Sequence, residues 1–208
     1  MKYSVKDSIR WSIFISIVTF ILACVITVTA TSVLEGVSWA IGIVIVLLIV
    51  MVGILFDIMG LAAAAASESP FHGMASEKLP GSKQAIYIVR NADRFSNFCN
   101  DVVGDVASVI SGAASAAVVF KLIGGGNGIA GPLVSILFTA CVSALTVGGK
   151  ALGKSYAIHS CTHVVLLIGK LFYFLEKRLG IRIFTPKRKN KSQNGKRGNK
   201  RARTNQSA

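Results

Sequence analysis

Two apolar runs near the start of the chain, Trp11 to Thr31 and Ser38 to Ala66, constrain its fold more than any motif does. Each exceeds the roughly 20 residues with which a helix crosses about 30 Å of hydrocarbon, and only Ser32-Val33-Leu34-Glu35-Gly36-Val37 separates them. A third run, Phe98 to Phe120, ends at Lys121. A glycine-rich turn, Gly124 to Gly128, leads through Pro132 into a fourth, Leu133 to Val147. With 52% of residues hydrophobic and 15% charged, the composition excludes an ordinary soluble domain. Between the second and third runs, Ser67 to Asn97 is broken by Pro70, Gly73, Pro80 and Gly81 but keeps Ile86, Tyr87, Val89 and Phe95, a mixture that suits short helices on a membrane surface. The apolar stretch from His163 to Leu175 is short and interrupted by Lys170, so it too is assigned to the surface. The expected fold is all-α: a polytopic membrane protein with about four transmembrane helices plus interfacial helices. Residues 1–37 form an anchor and external link, 38–176 a membrane domain and 177–208 a disordered basic tail.

The net charge of +14 is localised, because Lys177 to Arg203 holds twelve of the 23 basic residues and no acid. Lys2, Lys6 and Arg10 precede the first span, and Lys78, Lys83, Arg90 and Arg94 lie in the central segment. With four spans all of these fall on one side, so the positive-inside rule places both termini in the cytoplasm, with the plasma membrane as the expected location. The first apolar stretch is longer than the roughly 7–15 residues of a signal peptide and a second span follows at once, which favours an uncleaved anchor. From Lys187 to Arg203 the only aliphatic residue is Ala202, so this stretch is expected to be disordered. Its charge suits anionic lipid, and the absence of aromatic residues for base stacking makes nucleic acid an unlikely partner. Cys24, Cys99, Cys141 and Cys161 stand far apart and read as small core residues.

Asp57, Asp101 and Asp105 interrupt segments that are otherwise apolar. An ionised carboxylate at a bilayer centre costs at least about 2.5–3.5 kcal/mol, so such residues face a cation, a partner or a watery cavity. Helical spacing puts Asn97, Asp101, Asp105 and Ser108 on one face, continued by Ser111, Gly112 and Ser115, and puts Asp57 on another framed by Gly53, Gly60 and Ala64. Asp57 lies about two turns before the cytoplasmic end of its span and Asp105 about two turns into its own, so the two belong at one level. Carboxylates, hydroxyls and backbone carbonyls suit a hard ion such as Mg²⁺ or Ca²⁺. The alternative is structural, with the acids hydrogen-bonding helices together or pairing with Lys121 or Lys150. His159 and His163 bracket Cys161 at a spacing that one helical face would share, but no third zinc ligand is evident.

In order and local pattern these segments resemble the membrane domain of the CNNM/CorC magnesium transporters. The resemblance rests on a span ending in small residues, on Ala92-Asp93-Arg94-Phe95, on Val102-Val103-Gly104-Asp105, and on Gly149-Lys150-Ala151-Leu152-Gly153-Lys154. In the family the corresponding patterns look like N-P-E-R-F, L-I-G-N and G-E-x-x-P-K. The resemblance covers Ile43 to Leu175. It implies three spans, a belt of interfacial helices, a homodimer, and a dehydrated Mg²⁺ held by serine and asparagine oxygens and backbone carbonyls. Carried over by position, Gly104 and Asp105 take the place of the Gly-Asn pair, Asp57 lies near the family's first-span serine, and Ser67 or Ser69 offers a second hydroxyl. The candidate metal ligands are therefore Asp57, Asp105, Asp101, Gly104, Ser67 and Ser108. Several departures stand out: aspartate replaces both polar ligands, Lys150 replaces an acid, Gly153 replaces a proline, and an extra N-terminal span is present. No segment matches the soluble CBS and regulatory domains of the family, so nucleotide sensing is not expected. The expected function is transport of a divalent cation, Mg²⁺ first. The alternative is a non-transporting membrane scaffold, or an anchor whose basic tail binds anionic lipid or nucleic acid. No enzymatic arrangement emerges.

Overall fold

The computed structural model describes residues 5–123 and 130–179, and every regular element among them is helical. The long helices are α1 (Val5–Glu35), α2 (Trp39–Ala65), α6 (Asp105–Ile123) and α7 (Ala130–His159). Three short helices, α3 (Ser69–Ser76), α4 (Ser82–Arg90) and α5 (Ala92–Asn97), fill the central segment, and α8 (Cys161–Leu179) follows α7 after the single residue Ser160. A π-helical turn, Phe98–Gly104, joins α5 to α6 so that one continuous helix runs from Ala92 to Ile123. Among the described residues four helices are long and apolar enough to cross a membrane: Ile9–Glu35, Trp39–Ala65, Ala92–Ile123 and Gly131–His159. α8 is not one of them.

α2 is the centre of the bundle and packs against α5, the π-helical turn, α6, α7 and α8. Its buried stripe runs Gly42, Val46, Val50, Gly53, Asp57, Gly60, at the three- and four-residue spacing of one helical face. The stripe is narrow enough for close backbone approach: a Cβ on Gly53 would lie 3.1 Å from Ala107 Cβ, and one on Gly42 would lie 2.7 Å from Val118 Cγ2. The expected continuation to Ala64 does not occur, because Ala64 is exposed and Ala62 and Ala63 are buried instead. There the end of α2 turns into a second contact, with Phe71, Ala85, Ile88, Val165 and Ile168 of the short helices and α8. A separate apolar cluster of Leu34, Val46, Val50, Ala114, Val118 and Val142 occupies the other end of the bundle. Asp57 lies between the two along α2.

Outside this core the usual pattern is inverted. Phe20, Val109, Phe120, Ile136 and Leu137 are all more than half exposed, Phe20 at 71%, while Ser111, Ser115 and Thr146 are buried. In water, so extensive an apolar exterior is an aggregation liability. α1 is peripheral and packs on α6 and the π-helical turn, and Arg94 stacks over Trp11 with its guanidinium 4.9 Å from the ring centre.

The ends of several helices differ from expectation. α7 continues twelve residues past Val147, through Gly148 to Lys154, because Gly149 and Gly153 seat on Ile54 and Ile58 of α2; tertiary contact overrides the weak helix propensity of glycine. α8 runs to Leu179, past the 176 boundary assigned to the tail, ending on Lys177 and Arg178, whose charges favour a helix C-terminus. The rest of that tail, the N-terminal Met1 to Ser4 and the Gly124–Gly128 turn lie outside the described residues. His159 and His163 fall on different helices and both are exposed.

Lys121 does not pair with Asp57, Asp101 or Asp105. From the last turn of α6 its ammonium donates to the carbonyls of Leu34 and Glu35 (3.0 Å), which end α1 without intrahelical partners, and to that of Val37 (3.1 Å) in the link that follows. Lys121→Met should therefore cost about 1–2 kcal/mol, read as a lower melting temperature in detergent, with Lys121→Arg retaining most of the stability. Equal melting of Lys121→Met and the native protein would remove Lys121 from the structural account.

Candidate cation site

Three elements bring charge together in the middle of the bundle. α2 delivers Asp57 on its buried stripe, with its side chain 8% exposed. Opposite it stands Gly104, the last residue of the π-helical turn; a Cβ there would collide with Asp57 Oδ1, so glycine is what allows the carboxylate to reach the backbone of the continuous helix from Ala92 to Ile123. The glycines that draw α7 onto α2 flank Lys150, and its Nζ lies 3.2 Å from Asp57 Oδ2, 3.5 Å from Asp105 Oδ1 and 3.4 Å from the Gly104 carbonyl oxygen. Asp57 and Asp105, expected at one level, thus meet at one ammonium. Of the two alternatives for a structural pairing, Lys150 makes it and Lys121 does not.

The two acids are not equivalent. Asp105 is 72% exposed and Lys150 only 17%. Asp105 opens into a cavity of about 290 Å³ between α6 and α7, lined by Ser108, Ser111, Thr139, Ser143, Thr146 and Lys150 among others. Most of these hydroxyls donate to their own helices: Ser108 to the Gly104 carbonyl at 2.8 Å, Ser111 to that of Ser108 at 2.9 Å, and Thr146 to that of Val142 at 2.7 Å. Their lone pairs remain as acceptors toward the cavity.

The remaining expected ligands disperse. Asp101 is exposed and makes no ion pair among the described residues. Ser67 is exposed beyond the end of α2; the eight residues from Asp57 to Ala65 alone rise about 12 Å, so Ser67 is not brought to Asp57. The polar face expected from Asn97 through Ser115 also splits. Asp101 and Asp105 are exposed, Ser108 and Gly112 half-buried, and Ser111 and Ser115 buried against the core. The cause lies within the regular helix α6: at 3.6 residues per turn Ser111 stands about 120° round from Asp105, so it packs inward while Asp105 stays exposed, and the π-helical turn, in which the Asp105 amide bonds to Asn100 O five residues back, shifts only the register of what precedes Asp105.

That turn also holds a residue which the sequence reading passed over. Asn100 donates through Nδ2 to Ser96 Oγ at 3.2 Å, while its Oδ1 is buried without a hydrogen-bond partner. A Cβ on Gly60, one turn from Asp57, would collide with that oxygen. A buried orphan acceptor costs about 1–3 kcal/mol. The available signal was an amide side chain between Cys99 and Asp101 in an apolar helix.

No group of three or more His, Cys, Asp or Glu side chains among the described residues could hold a metal ion. Two carboxylates, the Gly104 carbonyl and the Ser108 hydroxyl form an all-oxygen donor set suited to a hard cation, but an ammonium lies among them. A divalent ion fits this set only with Lys150 withdrawn. Comparison with family models, curated proteins and solved structures finds no match to this chain, so its chemistry rests on the geometry just described.

Proposed function

We propose that this is a polytopic membrane protein that carries a cation, Mg²⁺ in the first instance, through the Asp57–Asp105 site, with Lys150 as a tethered cation that the incoming ion displaces. The observation that carries this reading is the seating of the Lys150 ammonium between a buried and an exposed carboxylate, 3.2 and 3.5 Å away, at the mouth of a hydroxyl-lined cavity. A purely structural ion pair needs no exposed acid and no polar cavity. Ionisable groups between membrane helices commonly mark ion paths, and Lys150 stands where the CNNM/CorC pattern has an acid. Two carboxylates balance one divalent ion, whereas with Lys150 in place they retain one net negative charge that attracts a cation. Both termini are cytoplasmic in this reading, by the distribution of lysine and arginine.

A second reading is favoured by one specific observation: the ammonium already occupies the seat. In a scaffold, Lys150 would stay there permanently and lock α2, α6 and α7 together.

Melting of the full-length protein in neutral detergent, with Mg²⁺ against ionic-strength-matched NaCl, separates the two. In a carrier, Mg²⁺ stabilises the native protein by mass action, by roughly 2.7 kcal/mol at one hundred times its dissociation constant. Lys150→Gln removes the competitor and shifts that response to lower Mg²⁺, and the Asp57→Ala, Asp105→Ala double variant abolishes it. Uptake of Mg²⁺ into proteoliposomes should follow the same order of variants. A scaffold shows no Mg²⁺ response in the native protein. A response that survives in the double variant would place the ion elsewhere and end the proposal.

A further inference from the structure

We infer that the cavity between the α3–α4 turn and α8 binds the phosphate of an anionic phospholipid headgroup. This inference shares the membrane placement of the proposed function but not its cation site. The cavity holds about 500 Å³ and is lined by Lys78, Lys83, Ser76, Ser82, Gln84 and Tyr173 together with smaller residues of the turn; no carboxylate lines it. Neither lysine makes an ion pair or side-chain hydrogen bond among the described residues. Of the acids nearby, Glu176 accepts from Gln84 Nε2 at 2.7 Å and Glu77 precedes Lys78 in the chain. Ser76 and Ser82 donate to the carbonyls of His72 (3.1 Å) and Leu79 (2.7 Å), so the free donors at this open cavity are the two ammonium groups, and paired ammonium groups with no carboxylate beside them are the chemistry that recognises phosphate.

The backbone points the same way. Lys78 has φ 60°, the one non-glycine residue with positive φ among the described residues. It closes α3, where its amide bonds to Ala75 O at 3.1 Å and that of Leu79 to Met74 O at 3.0 Å. This is the left-handed helix end at which glycine is the favoured residue. A lysine held there against its preference, at the rim of a cavity, is strain of the kind that collects at binding sites. The turn is also rigid. Gly81, at φ 88°, lies with its backbone directly on that of Gly169 and Lys170 of α8, so the walls hold their spacing before any ligand arrives.

The choice of a lipid over a free anion rests on the surroundings. α3, α4 and α8 bury Phe71, Ala85, Ile88, Val165 and Ile168 on their inner side, while Leu79 and Tyr173 at the cavity are each 40% exposed. A phosphate-binding cavity with an apolar lip and a tyrosine matches the depth at which headgroups meet acyl chains, on the side where the leaflet is anionic.

The test uses the full-length protein in neutral detergent at fixed ionic strength, with melting followed against dioctanoyl-phosphatidylglycerol, dioctanoyl-phosphatidylcholine or inorganic phosphate. Phosphatidylglycerol should raise the melting temperature and phosphatidylcholine should leave it unchanged. Lys78→Gly without lipid should melt at or above the native protein, because glycine suits the left-handed position, so loss of binding cannot be blamed on loss of fold. In the Lys78→Gly, Lys83→Gln double variant the half-saturating phosphatidylglycerol concentration should rise about tenfold or more; the basic tail is common to both proteins and cancels. An unchanged half-saturation in the double variant, or an equal response to phosphatidylcholine, overturns the proposal. Inorganic phosphate acting fully at the same concentration overturns the lipid assignment and leaves a free-phosphate site. None of these outcomes depends on the Mg²⁺ response, which tests the cation site alone.

Discussion

Asp57→Ala should destabilise the folded protein by about 3–5 kcal/mol, the cost of removing one partner from a buried ion pair. Lys150 is only 17% exposed and takes its shortest ion-pair contact, 3.2 Å, from Asp57. Without that carboxylate its ammonium would keep the Gly104 carbonyl at 3.4 Å and, as its one counter-charge, Asp105 at 3.5 Å, 72% exposed to competing solvent. Asp105→Ala should by contrast cost less than about 1 kcal/mol, as exposed ion pairs do. Replacing the lysine as well, in Asp57→Ala, Lys150→Met, should recover most of the loss, because no unpaired charge then remains in the interior. Equilibrium unfolding in mixed micelles of the native protein, Asp57→Ala, Lys150→Met and the double variant gives the coupling directly. Equal losses for Asp57→Ala and Asp105→Ala would show that burial does not set the energetics of the cluster.

The other large effect is expected at Gly81→Ala, about 2–5 kcal/mol from two additive causes. Its φ of 88° lies where an L side chain costs roughly 1–2 kcal/mol. Its Cβ would also lie 2.5 Å from Lys170 N, 2.7 Å from Gly169 C and 2.8 Å from Lys170 Cα. All three are backbone atoms of α8, so no rotamer change relieves the contact, and overpacking of this kind costs about 1–3 kcal/mol. α4 must lift from α8, exposing Ala85 and Ile88. Hydrogen exchange over residues 82–90 should accelerate and the melting temperature should fall. Gly73→Ala is the control: a Cβ at Gly73 meets nothing within 4 Å, and in α3 it should stabilise by up to about 1 kcal/mol. A harmless Gly81→Ala would mean that the α4–α8 contact is looser than the geometry requires.

Sequence periodicity made some of this architecture legible and concealed the rest for identifiable reasons. Apolar length alone located the four long helices, since no other feature of a chain competes with uninterrupted runs of this length. Asp57 between Gly53 and Gly60 announced a close-packed carboxylate because small residues at helical spacing imply a neighbouring backbone. The face from Asp101 to Ser115 misled because residues six apart do not share a helical face: within α6 Ser111 stands about 120° round from Asp105 and is buried while Asp105 is exposed. Lys150 was legible only as one of two possible partners. Its reach to Asp57 depends on Gly149 and Gly153 packing against Ile54 and Ile58, contacts between segments about 95 residues apart that no local pattern encodes. Asn100 and the Gly81–Gly169 contact were hidden for the same reason.

The long loop in sequence between Asp57 and Lys150 has a consequence for biogenesis. Translation proceeds at about 5–20 residues per second, and 93 residues separate the two positions (150 − 57), so the carboxylate is synthesised roughly 5–20 s before its counter-charge exists. If α2 enters a bilayer in order, Asp57 must pass that interval at the translocon wall or in the company of a chaperone, and α6 must dock before α7 can deliver the ammonium. Ribosome stalling placed between α6 and α7 would trap this half-built state, with its acid open to whatever cation the cell supplies.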